Sequence, residues 1–306
     1  RWHTPARGFR CEEPPRQDRI NQMAALDFVI PGFSKCGTTT LCDLLQQHPQ
    51  IAIPQKEPGY FAQHYGKGPA WYSDLFRTVA PGVLRGDAST TYSCEEFADV
   101  ASIRLGTRFP SLKCIFIARH PLSRLESSFR QMHHSGHLYG IAATRDIATT
   151  LETLPNMIAD TCYWRMLEHY RRFFPDEQIL VLFLEDLARQ PEVEVRRCFA
   201  FLGLDASVPL TDANRRSNPG QAKEYDTAPM RFIRRHHLLR RLWNRIDRDG
   251  RRQLARRLGL RRQFDVPVSW SAATVDRVRR AVADDSDRLL AYAGKSPGFW
   301  EWPEAA

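Results

Sequence analysis

One stretch near the N-terminus constrains the fold more than any other feature. Residues Asp27–Leu41 read DFVIPGFSKCGTTTL, which is a short apolar run, a glycine turn and three threonines that begin a helical apolar pattern. A buried strand, a glycine turn and a helix start form a phosphate-sized site, because the N–H groups and dipole at the start of a helix attract an anion. The stretch therefore predicts an α/β fold with an anion site after its first strand.

The glycine turn departs from the P-loop of nucleoside triphosphatases at one position. Gly32 and Gly37 have the P-loop spacing, but Thr38 stands where those enzymes have their lysine. The lysine of this turn is Lys35. Taken alone, the pattern also fits a strand-to-helix turn whose Gly and Thr residues only cap a helix. The choice between these interpretations depends on the rest of the chain.

Composition favours a soluble globular protein in a reducing compartment. The chain has 306 residues, of which 42% are hydrophobic and 26% charged, and its apolar runs are much shorter than the roughly 18 residues that span a bilayer. Its seven cysteines are scattered and form no Cys-x-x-Cys pair, which predicts neither a zinc site nor a disulfide framework. We therefore predict a cytoplasmic location. The alternative is the Golgi lumen, with an anchor that would precede this sequence.

The order of apolar patterns predicts a single domain over residues 24–306, preceded by an extended segment at 1–23. Continuous apolar runs predict strands buried on both faces of a parallel sheet: Leu26–Pro31, Lys113–Ala118 and Gln178–Leu184. Helical patterns predict the helices: Thr38–His48, Pro121–Met132, Met157–Phe174, Glu192–Leu202 and Ser271–Tyr292. This alternation favours a P-loop-like parallel sheet with helices on both faces, ligands at the carboxyl ends of the strands, and a helical C-terminal elaboration at 225–306.

Two further motifs follow predicted strand ends. Glu57 comes just after a short predicted strand at Ile51–Ile53, near the same sheet edge as the glycine turn, where it can serve as a general base. An exposed loop without function is the alternative. Arg119 stands at a strand end where a triphosphatase has a carboxylate for magnesium. With Ser127 in the following helix it forms a second candidate anion site, or else Arg119 makes a structural salt bridge.

In this order, the motifs resemble those of the sulfotransferase superfamily that uses 3′-phosphoadenosine 5′-phosphosulfate (PAPS), in particular its heparan-sulfate-type and bacterial carbohydrate-type branches. The resemblance covers about residues 26–204. Pro31–Leu41 looks like the 5′-phosphosulfate loop, and Lys56–Phe61 like the segment with the catalytic glutamate. Gly86–Tyr92 is similar to a segment near the acceptor, and Arg119–Phe129 to the 3′-phosphate element.

The resemblance implies a role for each matching residue. Lys35 would stabilise the bridging oxygen as its bond to sulfur breaks, and Glu57 would deprotonate the acceptor. Arg119 and Ser127 would bind the 3′-phosphate. The 5′-phosphosulfate would lie against the glycine turn and helix start: Lys35, Cys36, Gly37, Thr38, Thr39 and Thr40. The implied reaction is an in-line sulfuryl transfer, without a metal, to a hydroxyl or amine of a carbohydrate or small metabolite.

Two positions depart from the family pattern. Ala88 stands where animal heparan-type members commonly have a lysine, so any role of that lysine in handling the acceptor is absent or supplied elsewhere. The family's loop over the nucleotide has its nearest counterpart in Arg215–Gly220, where Arg215 and Ser217 are the candidate nucleotide contacts.

The segment Arg231–Arg262 contains 13 arginines against two aspartates. We rank three explanations in this order: a solvated helical face, a platform for an acidic acceptor or a membrane surface, and a nucleic-acid patch. Nucleic acid is not an expected partner, because no array of stacking aromatic residues is evident. Two other functions compete with sulfuryl transfer. A P-loop kinase or nucleotidase is disfavoured by Thr38, and a non-catalytic nucleotide or polyanion-binding protein by Glu57 beside the loop.

Overall fold

A parallel β-sheet of five strands forms the centre of the structure, a computed structural model that describes residues 23–135, 144, 146–211, 224–263 and 268–303. Residues 1–22 of the predicted N-terminal extension lie outside these ranges, and so do the candidate contacts Arg215 and Ser217. In chain order the strands are β1 Phe28–Gly32, β2 Ile51–Ala52, β3 Leu84–Asp87, β4 Lys113–Ala118 and β5 Ile179–Phe183. They are arranged as β2-β3-β1-β4-β5, and every neighbouring pair is parallel.

Helices flank this sheet and cover its apolar strands. From the N-terminal side they are α1 Thr38–Leu45, α2 Gly68–Asp74, α3 Ala98–Arg108, α4 Pro121–Ser135, α5 Ile147–Thr153, α6 Asn156–Ala159, α7 Tyr163–Arg171, α8 Leu184–Arg189 and α9 Pro191–Leu202. Strands β1, β4 and β5 coincide closely with the predicted apolar runs, and nearly all their residues are buried. The predicted α/β fold with a parallel sheet is confirmed.

A smaller unit follows, which we call the Arg-rich unit (residues 224–263). Its elements are β6 Glu224–Asp226, α10 Ala228–Arg235, α11 His237–Arg245, α12 Arg248–Arg257 and β7 Arg261–Gln263. The two strands pair in antiparallel fashion. A core of Met230, Ala255 and Leu260 holds the helices together, and β6 packs against α4.

The last helix, α13 Ala272–Tyr292, packs against the main domain. One of its contacts explains why a predicted helix is divided in two. The helix predicted over Met157–Phe174 is interrupted between α6 and α7. The carboxylate of Asp285 in α13 accepts the backbone N–H groups of Trp164 and Arg165, each at 2.9 Å, which begins a new helix at that point. Among the described ranges, none of the helices combines the length and apolar content that crossing a bilayer requires. The cytoplasmic location stays a prediction.

Candidate active site

The glycine turn after β1 is shaped by one close approach and one backbone hydrogen bond. Gly37 has φ 96° and stands at the N-cap of α1, and a Cβ there would lie 2.6 Å from Leu184 Cδ1. Only glycine meets both conditions without strain. The Phe33 N–H donates to Ile117 O at 2.9 Å, which ties the turn to β4. The first turn of α1, whose N–H groups have no acceptor within the helix, therefore begins at the carboxyl end of the sheet.

Tyr163 links the glycine turn to the second candidate anion site. Its hydroxyl donates to Arg119 O at 2.8 Å and lies 3.5 Å from Cys36 Sγ. The Cys36 thiol is buried, and burial raises its pKa to about 11, so that it stays neutral. The Cys36 N–H already donates to Phe33 O at 3.2 Å. Cys36 thus fixes the loop to the strand end that carries Arg119, and its contact with a donor stays a prediction.

Lys35 reaches from the glycine turn to α4. Its Nζ donates to Gln131 Oε1 at 3.3 Å. Gln131 is four residues after Ser127, and this spacing places both on one face of the helix. The structure therefore joins the loop lysine to the helix that carries the predicted 3′-phosphate element. Gln131 has no predicted role, although its spacing from Ser127 is a signal that the sequence contains.

Arg124 is a buried cation that the sequence analysis did not distinguish from Arg119. Its guanidinium donates to Ser34 O at 3.3 Å, to Met157 O at 2.6 Å and to Thr161 Oγ1 at 3.0 Å. Asp160 Oδ2 lies 3.7 Å away, and burial raises the pKa of this carboxyl while Arg124 opposes the shift. Arg124 thereby holds the glycine turn through the Ser34 carbonyl on its buried side, whereas Arg119 is only partly buried at the strand end.

Lys56, the first residue of the predicted catalytic-glutamate segment, contacts the first turn of α1. Its Nζ donates to Thr39 Oγ1, and its backbone forms an isolated parallel bridge with Ala88, just after β3. The sequence contains only six lysines, and Lys56 had no predicted role. The contact with Thr39 places a second cation beside the predicted phosphate loop.

Glu57 is the next residue, and its carboxylate is held by Thr90. Oε2 accepts the Thr90 N–H at 2.8 Å and Oε1 accepts the Thr90 hydroxyl at 3.1 Å, while the side chain remains exposed. Its backbone N–H donates to Ala88 O at 2.9 Å. Among the described residues, Glu57 (φ 57°) and Lys35 (φ 70°) are the only non-glycine residues with positive φ. Such strained backbone is concentrated at functional sites.

A buried carboxyl group anchors the Glu57 segment from inside the protein. Asp87, the last residue of β3, accepts hydroxyl hydrogen bonds from Ser89 (2.7 Å), Tyr92 (2.8 Å) and Tyr72 (2.9 Å). Ser89 Oγ also accepts the Gly59 N–H at 2.9 Å. Burial raises the pKa of Asp87 to about 6, although the three hydroxyl groups oppose the shift. The motif Gly86–Tyr92 contains Asp87, Ser89 and Tyr92, but the sequence did not predict their hydrogen bonds.

The resulting site contains cations and N–H or O–H donors at one edge of the sheet, with one carboxylate near them. Lys35 extends from the glycine turn to α4, Lys56 contacts the first turn of α1, and Arg119 follows the adjacent strand β4. Such a set of donors binds phosphate and sulfate oxygens. Within the described ranges, no group of three or more His, Cys, Asp or Glu residues is placed to hold a metal ion.

This fold and this donor set define an α/β protein with a site for an anion at the carboxyl edge of a parallel sheet. The chain belongs to the sulfotransferase domain family, whose model matches residues 26–224. The family predicted from the motifs is confirmed.

Individual relatives have similar sequences, and one solved structure has a similar fold. The chain is 29% identical over 180 residues to heparan sulfate glucosamine 3-O-sulfotransferase 3B1 of Homo sapiens, which covers 58% of this chain and 45% of that protein. It is 28% identical over 212 residues to the 3-O-sulfotransferase 6 of Homo sapiens, which covers 67% and 59%. The chain thus spans about half the length of these relatives. The crystal structure of a sulfotransferase from Alicyclobacillus acidocaldarius shares the fold, with TM-score 0.60, 21% identity and coverage of 91% of this chain and 99% of that one.

Proposed function

We propose that this protein transfers the sulfuryl group of PAPS to a hydroxyl group of a carbohydrate or small metabolite. The observation that carries the proposal is the hydrogen bond from Lys56 to Thr39, because it brings the segment of Glu57 to the start of α1. A base beside an anion loop is what sulfuryl transfer to a hydroxyl requires. The relatives named above, which act on heparan sulfate glucosamine, support a sugar hydroxyl as the acceptor group. An amine acceptor remains the alternative.

The donor would lie across the ends of β1 and β4. Its 5′-phosphosulfate would contact the first turn of α1, where Thr39 and Lys56 lie together. Its 3′-phosphate would contact Arg119 and Ser127, since a guanidinium can donate two parallel hydrogen bonds to a phosphate. These two strands are neighbours in the sheet, which supports binding of one molecule at both sites.

In the proposed reaction Glu57 accepts the proton of the acceptor, and Lys35 stabilises the charge of the leaving group. The Glu57 carboxylate takes the proton of the acceptor hydroxyl while the oxygen of that hydroxyl forms a bond to sulfur. The bond between sulfur and the bridging oxygen breaks, and 3′-phosphoadenosine 5′-phosphate (PAP) leaves. Lys35 exchanges its hydrogen bond with Gln131 for one to the bridging oxygen, whose negative charge grows in the transition state. Thr90 fixes the orientation of the base.

The test is release of PAP during incubation with PAPS and a panel of sugar and small-molecule acceptors. Glu57→Gln should reduce kcat at least about 100-fold, the usual contribution of a general base, with PAP affinity unchanged within about twofold. Glu96→Gln, at an exposed glutamate six residues after Thr90 in the sequence, is the matched control and should retain full activity. Full activity in Glu57→Gln would remove the base assignment. Turnover of ATP with magnesium in place of PAPS would remove the proposed function.

A further inference from the structure

The Arg-rich unit lies outside the site described above. The family match ends at residue 224, where this unit begins. The unit has its own small core and joins the main domain where β6 packs against α4. Its surface therefore needs an explanation that is separate from donor binding.

Exposed apolar side chains are concentrated on this unit. Five of the eight exposed large apolar side chains in the described ranges belong to it: Phe232, Leu238, Leu239, Leu242 and Leu258. Single exposed apolar side chains are ordinary on protein surfaces, but a concentration on one small unit marks an interaction surface.

Helix α11 combines leucine and arginine on its exposed side. Leu238 and Leu242 are one turn apart, so they share a face, and they are 62% and 57% exposed. Arg241 and Arg245, each three residues after a leucine, line the same side and are exposed as well. Trp243 packs against the small core and orients the helix. We call Leu238, Arg241, Leu242 and Arg245 the Leu–Arg strip.

Charge and apolar character together select the partner. The segment Arg231–Arg262 carries 13 arginines and two aspartates, a local balance of +11. A nucleic acid or an acidic glycan is attracted by this charge but gives no environment for exposed leucines. The surface of an anionic bilayer accommodates both, because arginines bind the headgroups while leucines enter the acyl boundary. We infer that the Leu–Arg strip docks this protein on anionic lipid membranes.

Docking would have a consequence for the position of the donor site. Helix α4, which contacts β6, carries Ser127 and Gln131. Membrane binding through the Arg-rich unit would tether this helix to the lipid surface by way of β6. The inference does not depend on the proposed sulfuryl transfer, since lipid binding can be measured without turnover.

The first experiment is flotation of the full chain with vesicles of phosphatidylcholine alone, or of phosphatidylcholine and phosphatidylglycerol in a ratio of about 3:1, chosen to resemble the surface potential of an anionic leaflet. We expect binding to the anionic vesicles only. Leu238→Ser with Leu242→Ser should weaken this binding at least about tenfold, since two apolar contacts are lost at unchanged charge. Ile103→Ser with Val193→Ser, exposed apolar residues on α3 and α9, is the matched control and should bind normally.

A second variant separates the contribution of charge. Arg241→Gln with Arg245→Gln should weaken binding to anionic vesicles about 25-fold, at about fivefold for each arginine. The urea midpoint of unfolding, unchanged in every variant, shows that the protein is folded. Equal vesicle binding by the serine variant would overturn the inference. So would tight binding to heparin or duplex DNA, unaffected by the serine substitutions, without binding to vesicles.

Discussion

The buried carboxyl of Asp87 makes a prediction about stability that can be worked out from its surroundings. Two effects compete there, because burial disfavours the charged form whereas three hydroxyl donors favour it. Burial prevails and raises the pKa from 3.8 to about 6. The folded protein therefore keeps a proton that the unfolded chain has released, and Asp87 destabilises the fold increasingly as pH rises from about 4 to about 6. At about 1.4 kcal/mol per pH unit, the whole effect is about 3 kcal/mol.

Substitution by asparagine removes this titration while it keeps the shape of the side chain. We expect the free energy of unfolding of the wild type, relative to Asp87→Asn, to fall by about 2 to 3 kcal/mol between pH 4 and pH 7. Urea unfolding followed by tryptophan fluorescence at several pH values measures this difference. Asp285→Asn is a control for location. Burial also raises the pKa of Asp285 to about 6, but Asp285 holds α7 rather than the Glu57 segment, so only Asp87→Asn should alter kcat.

A constant difference between wild type and Asp87→Asn over this pH range would refute the reasoning about burial. A relative stability that rises with pH would show that the hydroxyl donors prevail over desolvation. In that case the Asp87 network would be a net stabiliser at neutral pH, and its hydrogen bonds through Ser89 to Gly59 would contribute to the fold as well as to the position of Glu57.

Three further substitutions test the glycine turn. Lys35→Ala should lower kcat more than PAP affinity, because its proposed contact strengthens only as the bridging oxygen gains charge; single-turnover and equilibrium measurements separate the two. Lys56→Ala should weaken PAP binding about tenfold, through loss of a charged hydrogen-bond donor beside Thr39, as titration calorimetry can show. Gly37→Ala should reduce the free energy of unfolding by about 1 kcal/mol more than Gly82→Ala. Both glycines have positive φ, but of the two only Gly37 leaves no space for a Cβ. The difference between the two variants in free energy of unfolding, measured with urea, therefore reports the close contact with Leu184.

Three of the four predicted strands are those whose burial leaves a local signature, and the fourth, predicted at Ile51–Ile53, corresponds to β2. β1, β4 and β5 are buried on both faces, which requires continuous apolar residues. β3 was not predicted, because its residues Arg85, Gly86 and Asp87 carry no apolar pattern. Gly86 is needed there because the ring of Phe28 from β1 would lie 2.2 Å from a Cβ. Such a strand is specified by its neighbours in space, and a search along the chain cannot find it.

The same distinction applies to the site. The glycine turn was predictable because its glycine spacing and helix start are local. Lys56 was not assigned, since its contact with Thr39 depends on the pairing of its backbone with Ala88 after β3. Arg124 was not predicted either, because its contacts with Ser34, Met157 and Thr161 join parts of the chain that are distant in sequence.

The replacement of the P-loop lysine by Thr38 becomes understandable once both neighbouring lysines are placed. A lysine at position 38 would extend from the first turn of α1, where the Thr39 hydroxyl already accepts a hydrogen bond from Lys56 Nζ. Lys35, in contrast, lies before the helix, and its Nζ donates a hydrogen bond to the side-chain amide oxygen of Gln131. In the proposed reaction the two lysines therefore serve different purposes: Lys56 stays with the bound 5′-phosphate, while Lys35 can move to the oxygen that separates phosphorus from sulfur. A single lysine at position 38 would have to serve both purposes with one side chain, whereas two lysines allow one contact to form only as charge grows on the bridging oxygen.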